Sequence, residues 1–134
     1  MIADANIATY WFVETPLSSQ AKAFLSRTDL IAPNLVRLEM ANALLKFLRA
    51  GEISAPQVAK AMNQMERTIS EFVDDSVLLP RAIEISISAN HKIYDCLYLA
   101  LAVERREPLA TADRRMANLA QKLNIETHLI EPAL

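Results

Sequence analysis

Five short apolar runs alternate along the chain with longer segments in which apolar residues recur every three or four positions. The short runs lie at residues 1–3, 30–32, 71–73, 109–110 and 125–129 and have the length of buried strands. The longer segments lie at residues 6–14, 18–26, 34–50, 54–69, 80–90, 93–106 and 113–123 and predict helices. Strands that alternate with helices form a mostly parallel sheet covered on both faces. We therefore predict an α/β fold with a single domain over residues 1–134.

The boundaries of the two central helices are marked by capping residues. Asn34 and Ser54 are predicted N-caps, and Gly51 stands where a helix that ends at Ala50 would need a left-handed residue. Residues 80–90 are ambiguous, because three isoleucines alternate there as in a strand, whereas the proline at their start also suits the first turn of a helix. We predict a helix, which keeps the alternation of strands and helices intact.

Composition excludes several classes of site. The single glycine, Gly51, cannot build a glycine-rich phosphate loop, so a nucleotide cofactor held in that way is excluded. The single cysteine, Cys96, cannot form an internal disulfide and lies in an apolar run that predicts burial. Asp4 follows the first residue too closely for a signal peptide, and the longest apolar stretch, residues 96–103, is too short to span a bilayer. We therefore expect a cytoplasmic protein with no membrane association.

Four acidic residues occupy positions that an α/β fold could bring together. Asp4 and Asp113 follow predicted strands, and ligands of parallel sheets collect at that edge. Asp95 opens a predicted helix, so these three aspartates also fit the alternative of ordinary helix caps. Glu39 lies on a mostly apolar helix face, where an unpaired carboxylate would cost several kcal/mol. Lys46 is two turns away on the same face, so a salt bridge or a solvated edge is the alternative there.

Convergence of these carboxylates would indicate a metal site. Like charges that share a pocket remain ionised only if cations neutralise them, and oxygen ligands suit a hard divalent metal. Such a metal site indicates phosphodiester chemistry. The net charge of −2 requires that any nucleic acid be bound by a local basic patch rather than by the whole surface.

The sequence around the acidic residues resembles that of a known family. The relevant segments are residues 4–6, 37–44, 94–100 and 111–113, together with residues 51–54 between the two central helices. In order and spacing they resemble the PIN-domain ribonucleases and, among these, the VapC-type toxins of bacterial toxin–antitoxin pairs. The resemblance covers nearly the whole chain.

The resemblance implies a fold, an activity and a metal site. The fold is a three-layer sandwich with a short, mostly parallel sheet flanked by helices. The activity is that of a toxin with endoribonuclease function, which hydrolyses tRNA or rRNA by metal-activated water. Mg²⁺ or Mn²⁺ would be held by the four acidic residues, with Asn6 and Thr111 as supporting polar neighbours. The four acidic residues are Asp4, Glu39, Asp95 and Asp113.

The resemblance also implies partners. A VapB-type antitoxin would bind a groove beside the site, and the protein would form a homodimer. Residues 10–12 are aromatic and either line that groove or complete the core. Lys46, Arg114 and Arg115 are the candidates for RNA phosphate contacts, with a solvated helix surface as the alternative.

Two other functions remain open at this stage. A phosphoacceptor signalling domain also places acids at strand ends, but it requires paired acids after the first strand, where this chain has Asp4 alone. A catalytically silent PIN-fold binding module would share the fold without the chemistry. Metal binding distinguishes this module from a nuclease, because a silent copy has no chemical need for carboxylates that repel one another.

Overall fold

The computed structural model describes residues 1–132 and has a five-stranded parallel sheet at its centre. Its strands are Ile2–Ala3 (β1), Ile31–Pro33 (β2), Glu71–Val73 (β3), Leu109–Thr111 (β4) and Thr127–Leu129 (β5). Their spatial order is β3-β2-β1-β4-β5, and every neighbouring pair is parallel. The predicted α/β fold class is confirmed, and the sheet is wholly rather than mostly parallel. The predicted domain extends to residue 134, and residues 133 and 134 lie outside the described range.

In the described part of the chain, seven α-helices connect and cover the strands. They are Ala5–Tyr10 (α1), Ser18–Lys22 (α2), Leu35–Arg49 (α3), Ala55–Thr68 (α4), Asp75–Ala89 (α5), Ile93–Arg105 (α6) and Arg114–Lys122 (α7), and α2 continues as the 3-10 turn Ala23–Ser26. Within residues 1–132, no helix has both the length and the apolar character needed to cross a bilayer.

Helix α5 begins five residues earlier than predicted. The Asp74 side chain accepts a hydrogen bond from the backbone N–H of Ser76, which caps the first turn. Pro80 therefore lies inside the helix and not at its start. The alternating isoleucines do not form a strand: Ile85 is buried, whereas Ile83 and Ile87 lie on the exposed side of the helix.

The predicted caps of the central helices are correct in position, but one differs in its bonding. Ser54 forms a capping box with Gln57, in which each side chain bonds the other's backbone N–H. Asn34 occupies the N-cap position of α3 without a capping bond, and Asp75 instead accepts from the backbone N–H of Leu35. The start of α3 is thus fixed by the first residue of α5, which a local sequence pattern could not reveal.

The strand order places helices on both faces of the sheet. The chain moves from β1 through β2 to β3 in one direction and then crosses to β4 and β5 in the other. Because crossovers between parallel strands are right-handed, α1 to α4 cover one face and α5 to α7 the other. The reversal of direction lies between β1 and β4, which is where ligands of open parallel sheets bind.

The core is continuous across the three layers. Strand β1 has only two residues, yet it is central and bonds to both β2 and β4. Helix α6 is buried along most of its length, and Cys96 lies within it as the predicted buried thiol. Trp11 is also buried and donates its indole N–H to the carbonyl of Ala21, so this aromatic residue completes the core.

The two faces of α3 should differ sharply in their sensitivity to truncation. Leu44 is fully buried and Leu38 is 73% exposed on the same helix. We expect Leu44→Ala to lower the free energy of unfolding by about 3 kcal/mol, because it leaves a cavity. Leu38→Ala should change it by less than about 0.5 kcal/mol. Urea unfolding of both variants measures the difference, and equal losses would contradict the packing of this helix.

Candidate active site

All four predicted acidic residues line one cavity at the carboxyl edge of the sheet. The cavity has a volume of about 310 Å³. Asp4 follows β1 and Asp113 follows β4, the two strands at the reversal point of the sheet. Glu39 comes from α3 on one face of the sheet and Asp95 from α6 on the other. The fold therefore gathers carboxylates from every layer of the sandwich into one place.

Asp4 is nearly buried, as is Asp95. Asp4 is 6% exposed, and its Oδ2 accepts hydrogen bonds from Thr111 Oγ1 at 2.7 Å and from Asn6 Nδ2 at 3.0 Å. Burial raises the pKa of Asp4 to about 7; the charges of Glu39 and Asp95 act in the same direction, and the Thr111 hydrogen bond opposes them. Asp4 does not cap α1 with its side chain. The carboxylate thus faces the cavity and is available to a ligand there.

The two predicted supporting residues both contact Asp4 and connect it to β4. Thr111 Oγ1 also accepts a hydrogen bond from the backbone N–H of Asp113 at 3.0 Å. Asn6 Oδ1 accepts from the backbone N–H of Ala112 at 3.0 Å. Both side chains therefore bridge the ends of β1 and β4. They fix the distance between the segments that carry Asp4 and Asp113.

Glu39 is held by Tyr98, a residue that the sequence did not assign to the site. The Tyr98 hydroxyl donates to Glu39 Oε1 at 2.7 Å, although the Tyr98 side chain is fully buried. Burial raises the pKa of Glu39, Asp95 adds to the rise, and the bond from Tyr98 opposes it. Burial and then the neighbouring carboxylates raise the pKa of Tyr98 well above its usual value, so its hydroxyl remains a donor. The ring of Tyr98 lies in the core.

Asp95 also contacts a residue that the sequence did not assign to the site. His91 Nε2 lies 2.7 Å from Asp95 Oδ2, and both side chains are nearly buried. Lys92 Nζ lies 3.7 Å from the other oxygen, Oδ1. Residues four positions apart are neighbours on a helix. His91 lies before the start of α6, however, so helical spacing alone did not predict its contact with Asp95. Asp95 is in the first turn of the helix, where the helix dipole favours a negative charge.

Asp113 is the one aspartate that also matches the alternative interpretation as a helix cap. Its Oδ1 accepts from the backbone N–H of Met116 at 3.2 Å at the start of α7. A cap occupies one carboxylate oxygen, and the residue still lines the cavity with the other three acids. The capping bond therefore orients this carboxylate without removing it from the site.

The predicted basic residues differ in where they lie. Lys46 lines the acidic cavity together with Lys92. Arg115 lines an adjoining cavity of about 150 Å³ that also contacts Asp95 and Asp113. Arg114 forms an ion pair with Glu131 on the exposed surface. Lys46 and Arg115 are thus the predicted cations nearest to the carboxylates.

The donor set suits a hard divalent cation, although no rigid cage is present. Among residues 1–132, no three Asp, Glu, His or Cys side chains are close enough together to enclose a metal ion. Mg²⁺ does not require such a cage, because it keeps several water ligands and is bound through one or two carboxylates. Burial and the charges of Glu39 and Asp95 raise the pKa of Asp4, and a bound cation would favour its ionised form. The residues therefore fit a hydrated Mg²⁺ or Mn²⁺ ion.

The fold and the site define a class of α/β protein with a carboxylate-lined pocket at the reversal point of a parallel sheet. A family model of the PIN domain matches residues 1–122, and this chain belongs to the PIN domain family. It is 35% identical over 88 residues to Ribonuclease VapC1 from two Mycobacterium tuberculosis strains, CDC 1551 / Oshkosh and ATCC 25618 / H37Rv. That match covers 64% of this chain and 64% of the relative.

A solved structure shares the whole architecture. The crystal structure of PAE2754 from Pyrobaculum aerophilum matches with a TM-score of 0.74 over 94% of this chain and 81% of that one. The sequences are 17% identical, so the likeness concerns the fold alone. It confirms the predicted three-layer arrangement of the sheet and its helices.

Burial of Asp4 should make the metal-free protein less stable as the pH rises. Its pKa is about 7 in the folded protein against 3.8 ordinarily, so the stability that the protonated carboxyl contributes is lost as the pH rises toward 7. Between about pH 5.5 and about pH 8 we expect a loss on the order of 2 kcal/mol. Asp4→Asn should abolish most of this loss, as measured by urea unfolding in EDTA.

Asp29→Asn is the matched control. A hydrogen bond from Arg27 lowers the pKa of Asp29 to about 2, so this group titrates well below the pH range of the test. The control should retain the wild-type dependence on pH. Equal pH dependence in wild type and Asp4→Asn would contradict the assignment of the raised pKa to Asp4.

Proposed function

We propose that this protein is a metal-dependent endoribonuclease and the toxin of a type II toxin–antitoxin pair. The observation that carries the proposal is the convergence of four carboxylates on one cavity at the reversal point of the sheet. Membership of the PIN domain family and similarity to a relative named as a ribonuclease support it. The proposed reaction is hydrolysis of an RNA phosphodiester bond.

The carboxylates have different parts in the proposed reaction. Asp4 and Asp95 would bind Mg²⁺ or Mn²⁺ most directly, because both are nearly buried and face the cavity. Glu39 and Asp113 would hold water molecules of the ion or orient the attacking water. A bound ion would lower the pKa of a water molecule and screen the negative charge that develops on the phosphate.

The surrounding residues position these carboxylates before any substrate binds. Tyr98 holds Glu39, His91 holds Asp95, and Thr111 holds Asp4, each at 2.7 Å. Partners of this kind restrict the orientation of a ligand side chain, and that restriction raises metal affinity. The three contacts come from different elements, so the site depends on correct packing of the whole sandwich.

The proposed substrate and partners follow from the charge of the site and the family. Lys46 and Arg115 lie beside the carboxylates and would contact RNA phosphates. We propose tRNA or rRNA as substrate, a VapB-type antitoxin as the inhibitory partner, and a homodimer as the assembled form. The cytoplasm, where these RNAs are found, is the proposed compartment.

One rival function remains. The match to the PIN domain family excludes a phosphoacceptor signalling domain. A silent PIN-fold binding module would keep the fold but need no metal. The two remaining functions differ in whether metal-dependent cleavage occurs.

The decisive prediction concerns cleavage of RNA. Partner-free protein should cut a pool of tRNA and rRNA at discrete sites in Mg²⁺ or Mn²⁺ and not in EDTA. Asp95→Asn should lower the rate by more than about 100-fold, since even residues that only position metal ligands account for about 10- to 100-fold. Gel analysis of end-labelled products measures both effects.

Asp29→Asn is again the control, because Asp29 is a half-exposed carboxylate bonded to Arg27 on the surface. It should cleave RNA as the wild type does. A folded wild-type protein that binds Mn²⁺ but cuts no RNA in the pool would direct the search to other RNAs. Failure to bind metal would refute the proposed function and favour the binding module.

Tyr98→Phe tests whether the buried hydroxyl supports the site. Loss of its bond to Glu39 should lower Mn²⁺ affinity and cleavage by about 10- to 100-fold, as for other residues that hold metal ligands. Tyr94→Phe, at a 55% exposed tyrosine on the same helix, should change neither. Titration calorimetry measures the affinity. A folded Tyr98→Phe protein with wild-type affinity would show that the hydroxyl serves packing alone.

A further inference from the structure

The acidic cavity extends beyond its carboxylates, along the line where α1 packs against α3. On α3 it is lined from Glu39 to Phe47, which lie about 12 Å apart along the helix axis at 1.5 Å per residue. On α1 it is lined as far as Tyr10, the last residue of that helix. The part of the cavity remote from the carboxylates is called the aromatic end below, and its residues are Tyr10, Asn42, Ala43 and Phe47.

The aromatic end has the composition of a site for a planar ring. Tyr10 and Phe47 are half-buried, so each ring packs against the core and still contacts the cavity. Aromatic side chains bind the bases of nucleic acids by stacking, because every base has a π-face. A phosphate or a sugar has no such face. The aromatic end therefore suits a base.

Asn42 adds a group that distinguishes one base from another. It lies one turn after Glu39 on α3, is exposed, and lines the cavity. Its amide carries a hydrogen-bond donor beside an acceptor. Adenine presents the matching acceptor and donor at N7 and N6, and asparagine commonly pairs with that edge through two hydrogen bonds. Adenine is thus the base that Asn42 matches best.

We propose that the aromatic end binds an unpaired adenine next to the phosphate that is cut, with Tyr10 stacked on the base and Asn42 hydrogen-bonded to its edge. This inference rests on the proposed function and adds to it a sequence preference. The base enters the same cavity as the reacting phosphate, so it belongs to an adjoining nucleotide. Lys46, one turn beyond Asn42, lines the same cavity and would contact a flanking phosphate.

The size of the cavity limits this recognition to one base. The whole cavity has a volume of about 310 Å³, at the lower limit of sites that bind small ligands, and the carboxylates occupy part of its wall. Bases on either side of the bound adenine therefore lie outside it. The sequence preference that follows is a preference at a single position beside the cut.

Binding of short RNAs tests this preference without cleavage. Three labelled RNAs of about 6 nucleotides would be compared: uridines alone, uridines with one central adenine, and uridines with one central guanine. Guanine stacks as adenine does, but its corresponding edge presents two acceptors. The difference between the two purine RNAs therefore measures recognition of the base edge separately from stacking. Fluorescence anisotropy in EDTA gives the affinities.

Wild type should bind the adenine RNA at least about fivefold more tightly than the guanine RNA, which is the smallest discrimination usual for a bidentate pair. Asn42→Ala should bind the two purine RNAs equally. Tyr10→Ala should weaken binding of both by about fivefold or more, the usual loss for one stacked base. Tyr10→Phe should retain the wild-type affinities, because it keeps the ring.

Asn63→Ala and Tyr94→Ala are the matched controls, at exposed positions on α4 and α6 outside the cavity. Both should bind the three RNAs as the wild type does. Asn42→Ala should fold normally, since it places a better helix former at an exposed position. An adenine preference that persists in Asn42→Ala would overturn the proposal. So would a wild type that binds the two purine RNAs equally or binds none of the three.

Failure of the proposed nuclease would give a different result. The binding assay contains no metal, so its outcome does not depend on cleavage. A wild type that prefers the adenine RNA but cuts no RNA in Mg²⁺ or Mn²⁺ would retain the base site and refute the nuclease. A wild type that cuts an RNA of random sequence without enrichment of adenine beside the cut would retain the nuclease and refute the base site.

Discussion

The hydrogen bond from Thr111 to Asp4 joins the two central strands at the point on which the rest of the site depends. A carboxylate at the end of the shortest strand, in the middle of a parallel sheet, is removed from water and surrounded by other acids. Burying it is tolerable only because Thr111 and Asn6 satisfy its oxygen and are themselves anchored on the backbone that follows β4. Burial in the folded protein therefore opposes ionisation of Asp4, and a bound cation would relieve this opposition.

A hydrogen bond to a second carboxylate of the site connects the two faces of the sandwich. Glu39 belongs to α3 and its partner Tyr98 to α6, and these helices lie on opposite sides of the sheet. A tyrosine meets both demands, because its ring packs in the core while its hydroxyl satisfies a polar group. Core packing and site geometry are therefore coupled here through the hydrogen bond between Tyr98 and Glu39.

The sequence could predict features that depend on local patterns, but it could not predict features that depend on contacts between residues distant along the chain. Asp4 and Asp113 were predictable, because their positions follow from strands that can be located by local pattern. Tyr98 and His91 were not assigned to the site, because their contacts arise from tertiary packing or cross a helix start. The early start of α5 had a local cause, the Asp74 cap, which the more conspicuous proline concealed. A groove between α5 and α7 arises from tertiary structure, because two helices that are distant in sequence form its walls.

The distribution of charge matters more to this protein than its sum. A net charge of −2 predicts weak attraction to nucleic acid, yet Lys46 and Lys92 line the acidic cavity and Arg115 lines the adjoining one. Exposed pairs such as Arg37 with Glu66 and Arg105 with Glu71 neutralise charge elsewhere on the surface. The field that a phosphate chain meets near the site is therefore local, with cations that lie beside the carboxylates. Such an arrangement would attract phosphates that flank the site, while the carboxylates would bind a divalent ion.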